Sequence, residues 1–261
     1  NGGDNVLFPN GFSAAAPGWE AAGGNTLFKA LWLLPFQTLE TFYWIYVGTD
    51  DAGTTGGIGL TDGTTHWDIT PAVWAATPAG SITGGVLNGV PFINNGIDIP
   101  VFWDLVPTNV MTTLPGWPAA QRCQAMRAFK YHLIAMNMTD AGGDFPDVVA
   151  WSDAANPGQI PATWIADPSN QAGSFSIAAT PGGVVDGLAL RDQFMVYKQH
   201  STAIMQYIAG QFVFSNRKAF VTSGILARNC AAEMYGAHYV ITDGDIIQHN
   251  GQEVKSLIDG T

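Results

Sequence analysis

The sequence predicts an all-β protein, a β-propeller-like array of small antiparallel sheets with long loops and one or two short helices. Short apolar and β-branched runs recur along the chain, each closed by Asp-Gly, Asn-Gly or a polar turn, as antiparallel strands joined by hairpins are written. These runs group into units that return every roughly 40 to 60 residues, near the one-blade period of a propeller. Composition agrees: 31 Gly and 15 Pro mark frequent turns, while 9 Trp, 14 Phe and 7 Tyr supply bulky filling for narrow sheets.

The fullest unit spans residues 186–251. Strands are expected over 184–190, 193–197, 203–207 and 212–214, followed by a meander over 238–250 that turns at Asp243-Gly244. The same phrase occurs upstream at 43–50 with 57–62, at 89–96, and at 131–137 with 148–153. Aligning the copies makes Ile45, Phe92, Leu133, Phe194 and Val240 equivalent positions.

In chain order, residues 1–41 read as an N-terminal arm or closing-strand region of a single domain over 1–261, with a strand over 5–12 that ends in the Asn10-Gly11 turn. Residues 26–34 suit a short helix capped by Thr26 and stopped by Pro35, although 32–36 equally suits a strand. Residues 69–85 form a loop rich in Ala, Pro, Thr and Gly. A strand over 98–103 is pushed toward an edge by Pro100. Residues 119–126 suit one or two helical turns before a strand at Phe129. The long loop 153–173 is expected to be pinned to its sheet by Trp151 and Trp164. Residues 227–235 have helical character and end at Gly236, a residue suited to a helix C-terminus.

The net charge is −11, with 12% of residues charged. Before Arg122 the only basic residue is Lys29, against nine acidic ones. Such a surface repels phosphate and disfavours tight binding to nucleic acid, yet it suits the wall of a conduit past which DNA slides without being gripped. Cys123 and Cys230 stand alone and are expected to be free thiols, since zinc-type spacing is absent. No run of 18 apolar residues occurs, so no membrane anchor is expected. The sequence starts at Asn1 without Met and stops directly after a repeat, so a fragment of a longer protein or a compact relative is expected.

Chemical motifs are few, and each has a plain reading. Asp243-Gly244-Asp245 opens like a calcium loop, but Ile247 and Gln248 stand where a ligand and Gly are needed, which leaves a hairpin turn. Gly56-Gly57-Ile58-Gly59 looks like one calcium β-roll unit without stacked copies, so it too reads as a turn. Thr61-Asp62-Gly63-Thr64-Thr65-His66-Trp67 has the look of a structural Asp-box turn, and Asn137-Met138-Thr139 fits a glycosylation sequon. His66, His132, His200, His238 and His249 show no metal spacing, and His132 and His238 are expected inside strands. Asp50, Asp51, Asp62, Asp140 and Asp153 are the carboxylates among which a glycosidase pair would have to hide. No nucleophile elbow, phosphate loop or dinucleotide fingerprint occurs, so we expect no enzymatic site, no metal and no cofactor.

Asn5-Val6-Leu7-Phe8-Pro9-Asn10-Gly11-Phe12 followed by Gly18-Trp19, Leu27-Phe28-Lys29-Ala30-Leu31 and Tyr43-Trp44-Ile45-Tyr46-Val47-Gly48-Thr49-Asp50 resembles the start of tailed-bacteriophage virion structural proteins of the tail-nozzle or tail-tube type. Val148-Val149-Ala150-Trp151-Ser152-Asp153, the strands from Asp192 to Tyr207, Phe212-Val213-Phe214 and Asp243-Gly244-Asp245-Ile246-Ile247-Gln248-His249-Asn250-Gly251 are similar to the same group. The resemblance implies a propeller-like domain in a virion tail, set in a homo-oligomeric ring around a DNA exit channel, beside other tail or adaptor proteins, with no catalytic residue to carry over. In such a ring Trp67, Trp74, Trp103, Trp117, Trp151 and Trp164 are expected to divide between blade core and subunit contacts. Two other classes stay open: a receptor- or glycan-binding propeller whose aromatic rings stack on sugars, and a glycosidase-like enzyme.

Overall fold

The computed structural model describes residues 26–208 and 213–258, together with the backbone of β1 (Val6–Leu7) and β2 (Ala14–Ala15), which pair antiparallel. The rest of the strand and turn expected over residues 5–12 lies outside the described residues.

Five four-stranded antiparallel meanders follow in chain order as the blades of a propeller. Blade 1 holds β3 (Lys29–Gln37), β4 (Phe42–Thr49), β5 (Gly56–Thr61) and β6 (His66–Asp68). Blade 2 holds β7 (Thr83–Leu87), β8 (Val90–Asn94), β9 (Val101–Phe102) and β10 (Thr112–Thr113). Blade 3 holds β11 (Arg122–Phe129), β12 (His132–Asp140), β13 (Gly143–Trp151) and β14 (Gly173–Ser176). Blade 4 holds β15 (Val184–Leu190), β16 (Gln193–Lys198), β17 (Thr202–Tyr207) and β18 (Phe214–Phe220). Blade 5 holds β19 (Ala231–Met234), β20 (Ala237–Ile241), β21 (Ile246–His249) and β22 (Val254–Ser256). First strands meet first strands from blade to blade, which puts them innermost.

The five residues aligned from sequence fall where that alignment needs them. Ile45, Phe92, Leu133, Phe194 and Val240 each lie on the second strand of successive blades, and all are fully buried. In blades 2 to 5 the first hairpin is a two-residue turn opened by a left-handed residue: Asn88, Lys130, Arg191 and Tyr235 have φ of 50°, 53°, 55° and 55°. Such turns match the twist of the strands they join. Only the Asn88-Gly89 copy carries the usual residues, so the other three were hard to read.

The one or two short helices expected among residues 26–34, 119–126 and 227–235 are absent there: these segments enter or contain strands, as the alternative reading of 32–36 has it. Residues 26–34 enter β3, where Trp32, Leu34 and Phe36 alternate toward blade 2 and a bulge lies between Ala30 and Trp32. Residues 119–126 lead into β11, and 227–235 contain β19. In each, a neighbouring strand supplies hydrogen bonds that local propensity does not register. The one helical turn among the described residues is a 3-10 turn at Ala79–Ser81, inside the expected 69–85 loop.

Other expectations shift for physical reasons. Gly56 to Gly59 form strand rather than turn: the rings of Phe28 and Tyr46 lie where a side chain on Gly57 or Gly59 would stand. Strand β18 runs well past residue 214, because Asn216, Arg217 and Lys218 face solvent on an outermost strand and break the apolar pattern. Val101–Phe102 is paired on both sides despite Pro100, which precedes the ladder. The 153–173 loop is pinned by Trp151, whose Nε1 donates to the carbonyl of Gln171 at 2.8 Å, and by Trp164 against Trp117 with centroids 4.6 Å apart.

Candidate interaction surfaces

Four hydrophobic cores join the five blades. Blade 1 meets blade 2 around Ile45, Leu60, Ile93 and Trp103; blade 2 meets blade 3 around Phe92, Trp117, Met126 and Leu133. Blade 3 meets blade 4 around Phe129, Trp151, Phe194 and Phe214; blade 4 meets blade 5 around Met195, Ile204, Val240 and Ile247. Among the described residues no core joins blade 5 to blade 1.

Polar groups lock the centre. On the first strands of blades 3 and 4, Arg127 grips Asp186 with two hydrogen bonds of 2.9 and 2.7 Å. Arg127 also reaches the Gly84 carbonyl of blade 2 and the side chain of Asn229, which leads into blade 5. Asn229 donates its backbone N–H to Asp186 and its amide to the Ile82 carbonyl. Beside it, Arg228 donates to the Gln124 carbonyl at 2.6 Å and to Ser81. Four blades are thus tied at the axis by charge-assisted bonds.

Two further polar locks sit between blades 3, 4 and 5. Lys198, fully buried, donates to the carbonyls of Ile177 and Thr180 and stands 2.7 Å from the Asp147 carboxylate as an ion pair. Tyr197 on blade 4 meets two histidines of blade 5, with its hydroxyl 2.6 Å from His238 Nδ1 and 2.7 Å from His249 Nε2. His238 Nε2 lies 2.8 Å from the Ala189 carbonyl, so that nitrogen carries the proton and Nδ1 accepts from Tyr197. Tyr197 oxygen then accepts from His249 Nε2–H, leaving His249 Nδ1 as a bare buried acceptor. Burial lowers both imidazoles, His249 to about 4, and pushes the Tyr197 phenol well up. No spacing along the chain hints at this convergence, because His238 and His249 reach Tyr197 only through facing blades.

The six tryptophans named from sequence all pack within the chain. Trp103, Trp117, Trp151 and Trp164 are buried; Trp67 and Trp74 are half-buried against the core between blades 1 and 2. Among the described residues the exposed indole is Trp44, on the face of blade 1 turned away from blade 2. That outer face also presents Leu33 and Phe42, and the outer face of blade 5 presents Met234, Ile241 and Ile246.

The acidic residues mostly shape local turns. Asp50 accepts from Thr54 and Thr55, which holds its carboxyl at about 2; Asp62 accepts from Thr64 and Thr65 and is lowered likewise. Asp140 accepts from Gly142, and Asp153 from Ala154 and Gln171. Asp243-Gly244 forms the hairpin expected of it, with Gly244 at φ 92°. Asn137 of the sequon spends its amide on the Val184 carbonyl at 2.9 Å. Both cysteines are free, and burial raises the Cys123 thiol strongly. Among the described residues no three His, Cys, Asp or Glu side chains gather to hold a metal, and no helix is long and apolar enough to cross a membrane.

An open groove of about 870 Å³ lies where blades 3 and 4 diverge, lined by Trp151, Phe175, Asp167, Asn170 and Asn216 among others. No protein-family model matches the chain, and no curated protein matches it.

Proposed function

We propose that this chain is a structural component of a bacteriophage tail, in the nozzle, tube or connector region, and forms part of a homo-oligomeric ring around the DNA exit channel. The observation that carries this reading is where the phage-like phrases fall. Residues 43–50 cover the second strand of blade 1, 148–153 the third strand of blade 3, 192–207 the second hairpin of blade 4, and 243–251 the turn and third strand of blade 5. The likeness therefore follows the framework of the fold rather than one loop. The acidic, sparsely charged chain supports a wall that lets DNA pass without gripping it. Such a role asks no chemistry of the protein, only shape and rigidity. Gold-labelled antibody against this chain on purified phage particles is expected to mark the tail; particles that lack the chain would refute the reading.

A second reading, glycan binding, is favoured by the open groove at blades 3 and 4, whose lining includes Trp151, Phe175, Asp167, Asn170 and Asn216, with Asp167 and Asn170 also bonded within their own loop. Aromatic faces with converging polar groups suit a sugar ring. A glycan array resolves it: hits lost in Asp167→Ala and Asn170→Ala variants would support this reading, and an array without hits would remove it.

A further inference from the structure

We propose that the outer faces of blades 1 and 5 are the two halves of a head-to-tail contact between copies of this chain, blade 1 of one copy docking on blade 5 of the next. This deepens the ring reading by naming its contact faces, and it is testable apart from the virion assignment.

Strand register defines the two faces. In blade 1, Leu33, Pro35 and Gln37 stand opposite Tyr46, Trp44 and Phe42, and this side turns away from the core with blade 2. Leu33 is 55% exposed, Phe42 46% and Trp44 40%, and the two rings stack edge to face with centroids 5.5 Å apart. In blade 5, Met234 shares a side with Tyr239, Ile241, Ile246 and Gln248, away from the core with blade 4. Met234 is 48% exposed, Ile241 44% and Ile246 39%. Apolar side chains are thus clustered on two sheet faces: on blade 1 Phe28 covers Gly57 and Tyr46 lies buried over Gly59, which leaves Leu33, Phe42 and Trp44 open, and on blade 5 Met234, Ile241 and Ile246 are open.

What fits such a face is another blade of this chain. Every other blade face here is buried against a neighbouring blade, and four cores repeat that pairing with first strand on first strand. If blades 1 and 5 meet in the same order, their fourth strands meet as well. Asp68 lies on the blade 1 outer face, opposite Gly59, and Lys255 on the blade 5 outer face, opposite Gln248. The acidic side chain of one copy then faces the basic side chain of the next, which fixes register more than it adds affinity. Two unlike faces make a heterologous contact, the kind that closes into rings or runs on into filaments.

The size of the faces sets the strength. The smaller face decides it: blade 5, with strands of 4, 5, 4 and 3 residues, covers on the order of 250 Å² in projection, below the standard size of specific interfaces. Each contact is therefore weak, and assembly depends on concentration and on ring closure.

The test uses the full chain in size exclusion with light scattering from about 1 to 100 μM, a range suited to weak contacts. Wild type is expected to move from monomer to a larger closed species. Trp44→Glu and Ile246→Glu alone are each expected to weaken association at least tenfold. Mixed, they should form a 1:1 dimer and nothing larger, because each supplies one intact face. Asp68→Lys should weaken assembly, and adding Lys255→Asp in the same chain should restore it. All positions are exposed, and near-ultraviolet circular dichroism checks that each variant stays folded. A wild type that stays monomeric at the highest concentration overturns the proposal, as does an Ile246→Glu protein that still self-associates or a mixture that stays monomeric. Absence of the chain from phage particles would remove the virion reading and leave this result intact.

Discussion

Arg127 and Asp186 come from the first strands of neighbouring blades and pair fork to fork, Nε to Oδ1 at 2.9 Å and Nη2 to Oδ2 at 2.7 Å. Asp186 is almost fully buried and also accepts from the backbone of Gly187 and Asn229. Removing one partner leaves a desolvated charge. Arg127→Met and Asp186→Ala are each predicted to destabilise by about 3–5 kcal/mol. The double variant should cost less than the sum, as coupled partners do. Urea unfolding of the four proteins checks this; additive losses would show that the pair does not hold the axis.

Lys198 presents a related case between blades 3 and 4. Its ammonium has no route to water and satisfies two carbonyls and the Asp147 carboxylate. Lys198→Met keeps the length of the side chain but strands the two carbonyls and leaves the Asp147 carboxylate without its countercharge, so a loss of about 3 kcal/mol or more is predicted. Thermal unfolding reads it directly. A variant as stable as wild type would mean that water replaces the ammonium.

The array of blades was legible because its period survives in buried residues: Ile45, Phe92, Leu133, Phe194 and Val240 each fill one second strand. Strand identity failed where alternation was masked. Around Trp32, Cys123 and Ala231 the sequence is dense in Ala, Leu or other helix formers, and only the neighbouring strand decides the conformation. The outer strand β18 was cut short for the opposite reason, since its polar residues face solvent. The axial cluster of Arg127, Asp186, Arg228 and Asn229 was invisible. Its members lie up to 102 residues apart and meet only when the blades close around a common axis. The exposed faces of blades 1 and 5 were equally hidden, because alternating apolar residues look the same whether a neighbour covers them or not.

Glycines on β5 make a third prediction. Gly57 and Gly59 lie under the rings of Phe28 and Tyr46, so a side chain at either position occupies space those rings fill. Gly59→Val is predicted to destabilise by about 1–3 kcal/mol through overpacking, although Val has the higher strand propensity. Gly63 is the contrast: it has φ of 90° with open space around it, so Gly63→Ala tests backbone strain alone. Denaturant midpoints for both variants separate the two causes. A Gly59→Val protein more stable than wild type would show that the Tyr46 ring moves aside freely.

The Tyr197, His238 and His249 cluster predicts how stability follows pH. Both imidazoles are held neutral by burial, and His249 titrates at about 4 against an ordinary 6.5. Unfolded chains bind protons at these groups near 6.5, whereas the folded protein resists until well below that. The unfolded state therefore binds more protons between those two values. The stabilisation is fully present above about 6.5 and is lost as pH falls toward 4. Thermal midpoints should fall over this window, and the fall should be shallower in His249→Phe. That variant removes the titrating ring and sets a phenyl group beside Phe220, which already meets His249 edge-on at 5.2 Å. It also leaves the Tyr197 oxygen without its donor, so its stability at pH 7 should drop by about 1 kcal/mol. The slope, not that offset, is the diagnostic quantity: an unchanged slope in His249→Phe would mean that the other buried imidazoles, His132 of blade 3 and His238, carry the acid sensitivity and that His249 does not.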